Sequence, residues 1–427
     1  MSNVKKLTRI LDKLVQVGPS YLDQTLRSYV TENKEYRLYT DYHPDSHPGG
    51  EGTANTYAVF SYFSSGTYKT EVARETDILI VAGGGGGTIG NASGGSGGGE
   101  VIEIRNAVLP AGEYVITIGA GGAGASNPGA PAVGQAPIAA TEAQGNVGND
   151  SSVHKTPMTN RIVAKGGGVG GYRQYDTNAS VGGSGGGAGG ADHDPGNVGI
   201  QPAGGSPFYQ GAGIHSHTVA GEETSQYMLT GYLGDNVTTG LVQNYGEPGG
   251  DSDAYALGTV STTDTYTPGG GGGAAEAGKS GTDTKGGDGG DGVSIDWVNE
   301  VFNKVYKFNG NIHWAAGGGA SCLADKEPGN GGLGGGGGGA SFNQLGASAA
   351  ETEIYWNGKG GLSGFNPGYD AAFLKGGAGG QNTGSGAGGS CGTIASNVGN
   401  HIHRTITQGP NGGSGFVLIR VRMNDIV

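Results

Sequence analysis

The chain has 427 residues, of which 96 are Gly and 16 Pro, with a formal net charge of −13 and only 14 % charged residues. Its Lys and Arg are scattered without a basic run, which argues against nucleic acid as a partner. No apolar run approaches the ~20 residues of a membrane-spanning helix, so membrane insertion is not expected.

Residues 1–50 differ from the rest. Leu7, Ile10, Leu11, Leu14 and Val15 fall on one helical face, and Gly18-Pro19 ends it. Ser20 with Asp23 resembles a helix start ahead of Leu22, Leu26 and Tyr29. The Lys pair near the start is reminiscent of a signal peptide, but Arg9, Asp12 and Lys13 interrupt the apolar core one needs. A short amphipathic helix pair cannot bury its apolar face alone. It reads as an attachment segment or as a cap on its own chain.

Strand-like runs follow. TYAVFSYF (56–63) and GTYKTEV (66–72) flank a Ser-Ser-Gly turn and are expected to form a hairpin. TDILIVA (76–82) is continuously apolar, and EVIEIRNAVL (100–109), EYVITI (113–118) and RIVAK (161–165) follow it. GFVLIRVRM (415–423) is the last strand, and a sheet joining it to the first strands would close the domain.

Between these strands lie Gly tracts at 83–87, 94–99, 182–190, 269–273, 286–292, 331–339 and 376–380. Gly disfavours the α-helix by ~1 kcal/mol per residue relative to Ala. An extended polyproline II-type helix suits it, with three residues per turn and backbone groups pointing outward in three directions. Such helices pack closely and bond laterally, which offsets the chain entropy. The expected fold is mainly β with a polyglycine II helix bundle and a short N-terminal α-helical segment. Residues 1–50 form the attachment segment. Residues 51–427 form one glycine-rich domain, with its β layer at 56–118, 161–165 and 415–423.

The blocks SYFSSGTYKT…DILIVAGGGGG, YVITIGAGGAG, TPGGGGGAA…GGDGGDGV, GGLGGGGGGAS and NGGSGFVLIRV, in that order, resemble the glycine-rich domain of tailed-bacteriophage tail fibres and adhesins. The resemblance covers about residues 56 to 423. It implies a virion protein, made in the host cytoplasm, whose loops bind a glycan or outer-membrane protein on the bacterial surface. Its N-terminal helices would dock on other virion proteins. The alternative is a non-adhesive structural virion protein, such as a head fibre or tail-tip component.

Several motifs suggest chemistry. GAAEAGKS (273–280) fits the P-loop pattern. A P-loop needs a buried strand before it and a helix after it, and neither flank qualifies. GAGGAG (119–124) and GGDGGDGVS (286–294) fit dinucleotide and calcium patterns, but Gly abundance makes such matches frequent. No H-E-x-x-H or C-x-x-C occurs, so an enzyme is not expected. Two H-x-H pairs, His215/His217 and His401/His403, could each hold a metal on a strand, and around a threefold axis in a trimer six would suit an octahedral site. No other cofactor is expected. Cys322 and Cys391 are too few for a disulfide framework, leaving one bridge or two reduced thiols.

Recognition of glycans or protein loops favours aromatic rings beside Asp and Asn. The segments between tracts supply Tyr172, Tyr175, Phe208, Tyr209, Tyr227, Tyr232, Tyr245, Tyr255, Tyr266, Tyr355, Trp356, Phe365 and Tyr369 as receptor-binding candidates. Each has a simpler reading as part of a small core under a loop.

Overall fold

The computed structural model describes residues 36–42, 54–90, 92–126, 143–157, 161–172, 179–189, 233, 241–252, 267–323, 326–343, 354–372, 374–391 and 406–423. The expected helices at 7–15 and 22–29 lie outside them. In chain order the strands are β1 (Tyr36–Tyr42), β2 (Ala54–Tyr62), β3 (Gly66–Thr70), β4 (Arg74–Val81), β5 (Ile89–Gly90) and β6 (Val101–Leu109). Next come β7 (Gly112–Thr117), β8 (Ser151–Lys155), β9 (Ile162–Ala164), β10 (Leu241–Tyr245), β11 (Val293–Ser294) and β12 (His313–Trp314). The last are β13 (Cys322–Leu323), β14 (Ala340–Asn343), β15 (Ile354–Asn357), β16 (Ser390–Cys391) and β17 (Phe416–Arg422). Helix α1 (Asp296–Val301) continues into a π-helical turn at Phe302–Tyr306. The fold is mainly β.

β17 lies between β2 and β4 in an antiparallel six-stranded sheet of order β1-β2-β17-β4-β6-β10. This is the closure expected from the sequence. The expected hairpin at 56–72 does not form. Both edges of β2 are taken, by β1 and β17, so the chain crosses at Ser64-Ser65 and β3 pairs with β7 in a separate four-stranded sheet, β3-β7-β8-β9. β1 and β10 are further strands that the sequence reading did not place. β1 also falls within the stretch assigned to attachment.

The central strands β4 and β17 are buried on both faces, which is why each reads as a nearly unbroken apolar run. Ile78, Ile80, Ile104, Val417 and Ile419 pack toward Tyr68, Tyr114 and Ile116 of the four-stranded sheet. Their neighbours Leu79, Val81, Phe416 and Leu418 face Trp297, Val301, Phe302 and Trp314 on the other side. Arg420 bridges the helix and the sheet. It bonds the Asp77 carboxylate at 2.6 Å and lies 4.7 Å from the Tyr57 ring and 4.8 Å from the Trp297 ring.

The Gly tracts run outward from this sandwich and back, bonded to one another by backbone groups. Residues 93–100 show the rule. Gly94, Gly97 and Glu100 donate to Gly171, Gly168 and Lys165 at 2.8–2.9 Å. Gly95 and Gly98 donate to Gly269 and Gly272, and Ser96 and Gly99 to Ala387 and Gly384. Every third amide therefore addresses the same neighbour. The carbonyls follow the same step, accepting from Gly187 and Ser184, from Gly318 and Ser321, and from Gly85 and Ala82. One tract is thus surrounded by six.

Residues 268–274 repeat the arrangement. Their amides address 185–188, 276–279 and 315–318, and their carbonyls accept from 95–98, 247–250 and 287–290. Such spacing leaves no room for side chains. A methyl on Gly271 would overlap the Ser96 carbonyl, and one on Gly95 the Gly318 carbonyl. Where a side chain does intrude, it is small. Ser96 and Ser184 are buried and donate their hydroxyls to the carbonyls of Gly86 and Gly273 at 2.8 and 3.0 Å.

Candidate functional site

The tract directions sort the loops into two ends. Residues 83–89 leave β4, and Gly83, Gly86 and Ile89 bond successively to Asn149, Asn146 and Ala143 on the tract that returns to β8. Ser126 and Ala143, the flanks of 127–142, are therefore remote from the sandwich. The same register places the flanks of 173–178, 253–266, 324–325, 344–353 and 392–405 at that far end. Short strands crown it. β5 pairs with β16, and β13 and β15 flank β14.

The turns at Leu333–Gly335, Leu362–Phe365 and Asn382–Thr383 lie at the opposite end, next to α1 and β12. There Gly334 donates to Leu362 at 2.7 Å and Ala315 to Thr383 at 2.7 Å. Leu362 is 66 % exposed and Leu333 40 %, an apolar pair that their glycine surroundings did not advertise.

The receptor-binding candidates divide accordingly. Tyr172 is half-buried at the far end of the tract that leaves β9. Tyr355 and Trp356 occupy β15, in register with Phe342 and Ser341 of β14 at that end. Tyr175, Phe208, Tyr209, Tyr227, Tyr232, Tyr255 and Tyr266 lie outside the described residues. So do His215, His217, His401 and His403. No group of three or more His, Cys, Asp or Glu is arranged to hold a metal among the described residues.

Three candidates sit elsewhere. Tyr245 is in β10, within the sandwich, and donates to the Glu103 carboxylate at 2.9 Å. Burial, with the neighbouring Glu103 charge, raises its phenol above the ordinary range. Glu103 also accepts from the Trp297 indole at 2.8 Å, so Tyr245 ties the edge strand to α1 through one carboxylate. Phe365 stacks on Phe63 at 5.5 Å and meets Phe302 edge-on at 5.3 Å. Its ring belongs to the core under the helix. Tyr369 is 61 % exposed on the flank of the bundle, where its carbonyl accepts from Gly338 at 3.1 Å.

The P-loop-like motif is part of the bundle. Gly273 and Gly270 donate to Glu276 and Lys279, while Gly278 and Gly281 donate to Pro248 and Asp251. Residues 276–281 are therefore a tract in their own right. The Lys279 amide donates to Asp288 at 2.9 Å, and its ammonium pairs with Glu276. The amides of Gly273, Ala274, Ala275, Glu276, Gly278 and Lys279 are all engaged by carbonyls, which leaves few of them for a phosphate. GAGGAG is likewise absorbed. Gly122 and Ala125 donate to Gly84 and Gly87, and Gly124 to the Asn411 side chain. Asp288 and Asp291 accept the amides of Asn330 at 2.6 Å and Leu333 at 2.7 Å, as caps between tracts. Asp370 is another such cap. The Gly360 amide and then Lys359 hold its carboxyl below the ordinary range.

Helix α1 and its π-turn also escaped the sequence reading. Trp297, Val298, Val301, Phe302 and Val305 carry a helical spacing, which would have flagged it. No helix among the described residues is long and apolar enough to cross a membrane. A family model described as a glycine-rich domain matches residues 63–296. No curated protein matches the chain.

Proposed function

The chain belongs to the glycine-rich domain family, and from the order of its strand and glycine blocks, which resembles that of tail fibres, we propose that it is a bacteriophage tail-fibre adhesin displaying receptor-binding loops on a polyglycine II scaffold. The step of three in tract-to-tract bonding supports the polyglycine II assignment, because that helix has three residues per turn. A tract with six neighbours is the packing such helices adopt when no side chains intervene.

The observation that carries the adhesin reading is the collection of loop flanks at one end. A bonded backbone lattice holds the described flanks of 127–142, 173–178, 253–266, 344–353 and 392–405 together, remote from the sandwich. Binding residues gather on loops positioned by a rigid scaffold. The expected partner is a glycan or outer-membrane protein of the bacterial surface, met by the aromatic side chains of this end. The sandwich end, with the segment before it, would face the rest of the virion. No enzymatic step and no cofactor are assigned. A metal at the H-x-H pairs, and a trimer, remain as expectations from sequence.

The test is loop exchange. Replacing 253–266 or 392–405 with a Gly-Ser linker of equal length leaves β10 and every tract in place. The purified variant should melt like the wild type yet lose sedimentation with whole bacteria that the wild type binds. Binding that survives all such exchanges, with virion assembly lost instead, would favour the structural-protein reading.

A further inference from the structure

Arg74 opens β4 opposite Leu109 of β6 and is only 3 % exposed. It lies on the same face of the strand as Thr76, Ile78 and Ile80, because the extra residue of the nearby bulge belongs to β6 and leaves the alternation of β4 unbroken. That face looks toward the four-stranded sheet, and Leu109, Tyr114 and Met423 contribute to the apolar cluster between the two layers. The carboxylates next to Arg74 in sequence lie on the other face and are taken. Glu75 pairs with Arg422 at 3.3 Å, and Asp77 with Arg420 at 2.6 Å. On the four-stranded sheet, Glu113 pairs with Lys69 at 3.0 Å.

The Nε and Nη2 atoms of Arg74 are buried and meet no acceptor among the described residues. These two atoms form one edge of the guanidinium, the edge whose parallel N–H groups match the two oxygens of a carboxylate. Arg420 uses the same edge for Asp77, with Nε at 2.8 Å and Nη2 at 2.6 Å from Oδ2. An arginine does not shed its proton when buried, so its charge has to be paired. We propose that Arg74 is a binding site for one carboxylate, gripped by the Nε/Nη2 edge between the two sheets. Charge selects a carboxylate over a phosphate. One negative charge cancels one guanidinium, whereas a phosphate dianion would bring a second charge into apolar surroundings. The carboxylate has two sources. One is Asp425, two residues after Met423 in the sequence, and the other is a molecule outside this chain.

Formate, the smallest carboxylate, tests the site and tells the sources apart. The full chain is melted in sodium formate and in sodium chloride at equal ionic strength, as wild type, Asp425→Asn and Arg74→Met. With an external source, formate should raise the midpoint of both wild type and Asp425→Asn by about 2 °C and then saturate. With Asp425 as the source, formate should leave wild type unmoved. Asp425→Asn should then melt lower, and formate should recover the loss. Arg74→Met should ignore formate in either case. A response equal in wild type and Arg74→Met, or none in both wild type and Asp425→Asn, overturns the proposal. If Arg74→Met does not fold, saturation decides, and a response that only grows in proportion to formate in the other two proteins overturns it.

Discussion

The amide of Gly97 donates to the carbonyl of Gly168 at 2.9 Å, and the carbonyl of Gly97 accepts from Gly85 at 2.9 Å. Neither bond belongs to a strand or an α-helix, yet repeats of this relationship hold most of the chain together. Substitutions along the tracts should therefore be ranked by what a new methyl meets. Gly97→Ala would place one against the Ser184 carbonyl and Gly271→Ala against that of Ser96, backbone atoms that cannot rotate away. Each should cost about 3 kcal/mol or more. Gly66→Ala meets only the Tyr62 ring at 3.5 Å and should cost under about 1 kcal/mol. Denaturant melts of the three variants test the ranking, which fails if Gly66→Ala is the most damaging.

Arg420 and Asp77 form an ion pair whose side chains are 11 % and 10 % exposed. Asp77 also accepts the Asn106 amide at 2.9 Å, where the backbone of Asn106 turns left-handed beside a bulge in the pairing of β4 and β6. Arg420→Met should destabilise by about 3–5 kcal/mol, since it leaves a buried carboxylate unpaired. Adding Asp77→Asn should recover a large part of that. A double variant no more stable than Arg420→Met would mean that the pairing is not what matters.

Glu100 ends the central tract at the start of β6. Its carboxylate is buried and accepts the Lys165 amide at 2.8 Å. Burial raises its pKa to about 8. The folded chain thus holds this proton at pH values where the unfolded chain has lost it. Stability should fall as pH rises from about 4.5 to 8 and level off above. Glu100→Gln keeps an acceptor for Lys165 and removes the titration. Its advantage over wild type should grow across that window, to about 1–3 kcal/mol at pH 8. Urea melts at pH 5, 6.5 and 8 would count against this if the difference between the two proteins stayed constant.

Lys279 makes an exposed ion pair with Glu276, both side chains being more than a third exposed. Lys279→Ala should change stability by less than about 1 kcal/mol. Calorimetric titration with magnesium-ATP should give no saturable heat with either protein. A binding isotherm present in wild type and absent in the variant would reinstate the P-loop.

The legible parts of the sequence were those where side chains carry a local period or an unbroken run. TDILIVA announced a strand buried on both faces, and GFVLIRVRM announced its partner. The failed hairpin at 56–72 has a different cause. β2 and β3 are good strands with a good turn between them, but β2 had two better-placed neighbours, one of them more than 300 residues further on. Partner choice at that range leaves no mark in a local window. Helix α1 did leave one, in Trp297, Val301 and Phe302, but it sits between Gly tracts that dominated the reading. Among the site candidates, Phe365 and Tyr245 had the composition of a contact loop and the placement of a core. Aromatic residues between Gly runs serve both purposes, and only the tract register separates them. That register is invisible in sequence because glycine has no side chain to vary.

The six neighbours of residues 93–100 also bear on kinetics. They are drawn from 82–85, 165–171, 184–187, 269–272, 318–321 and 384–387. The central tract cannot satisfy its amides until segments from nearly the whole length have arrived, and β17 fills its slot between β2 and β4 only then. Mean sequence separation of this size slows folding. The transition state must then resemble an almost complete lattice, and departure from the native state requires many shared bonds to fail together. A chain built this way should fold slowly and open more slowly still, so its persistence would be a matter of rate more than of equilibrium.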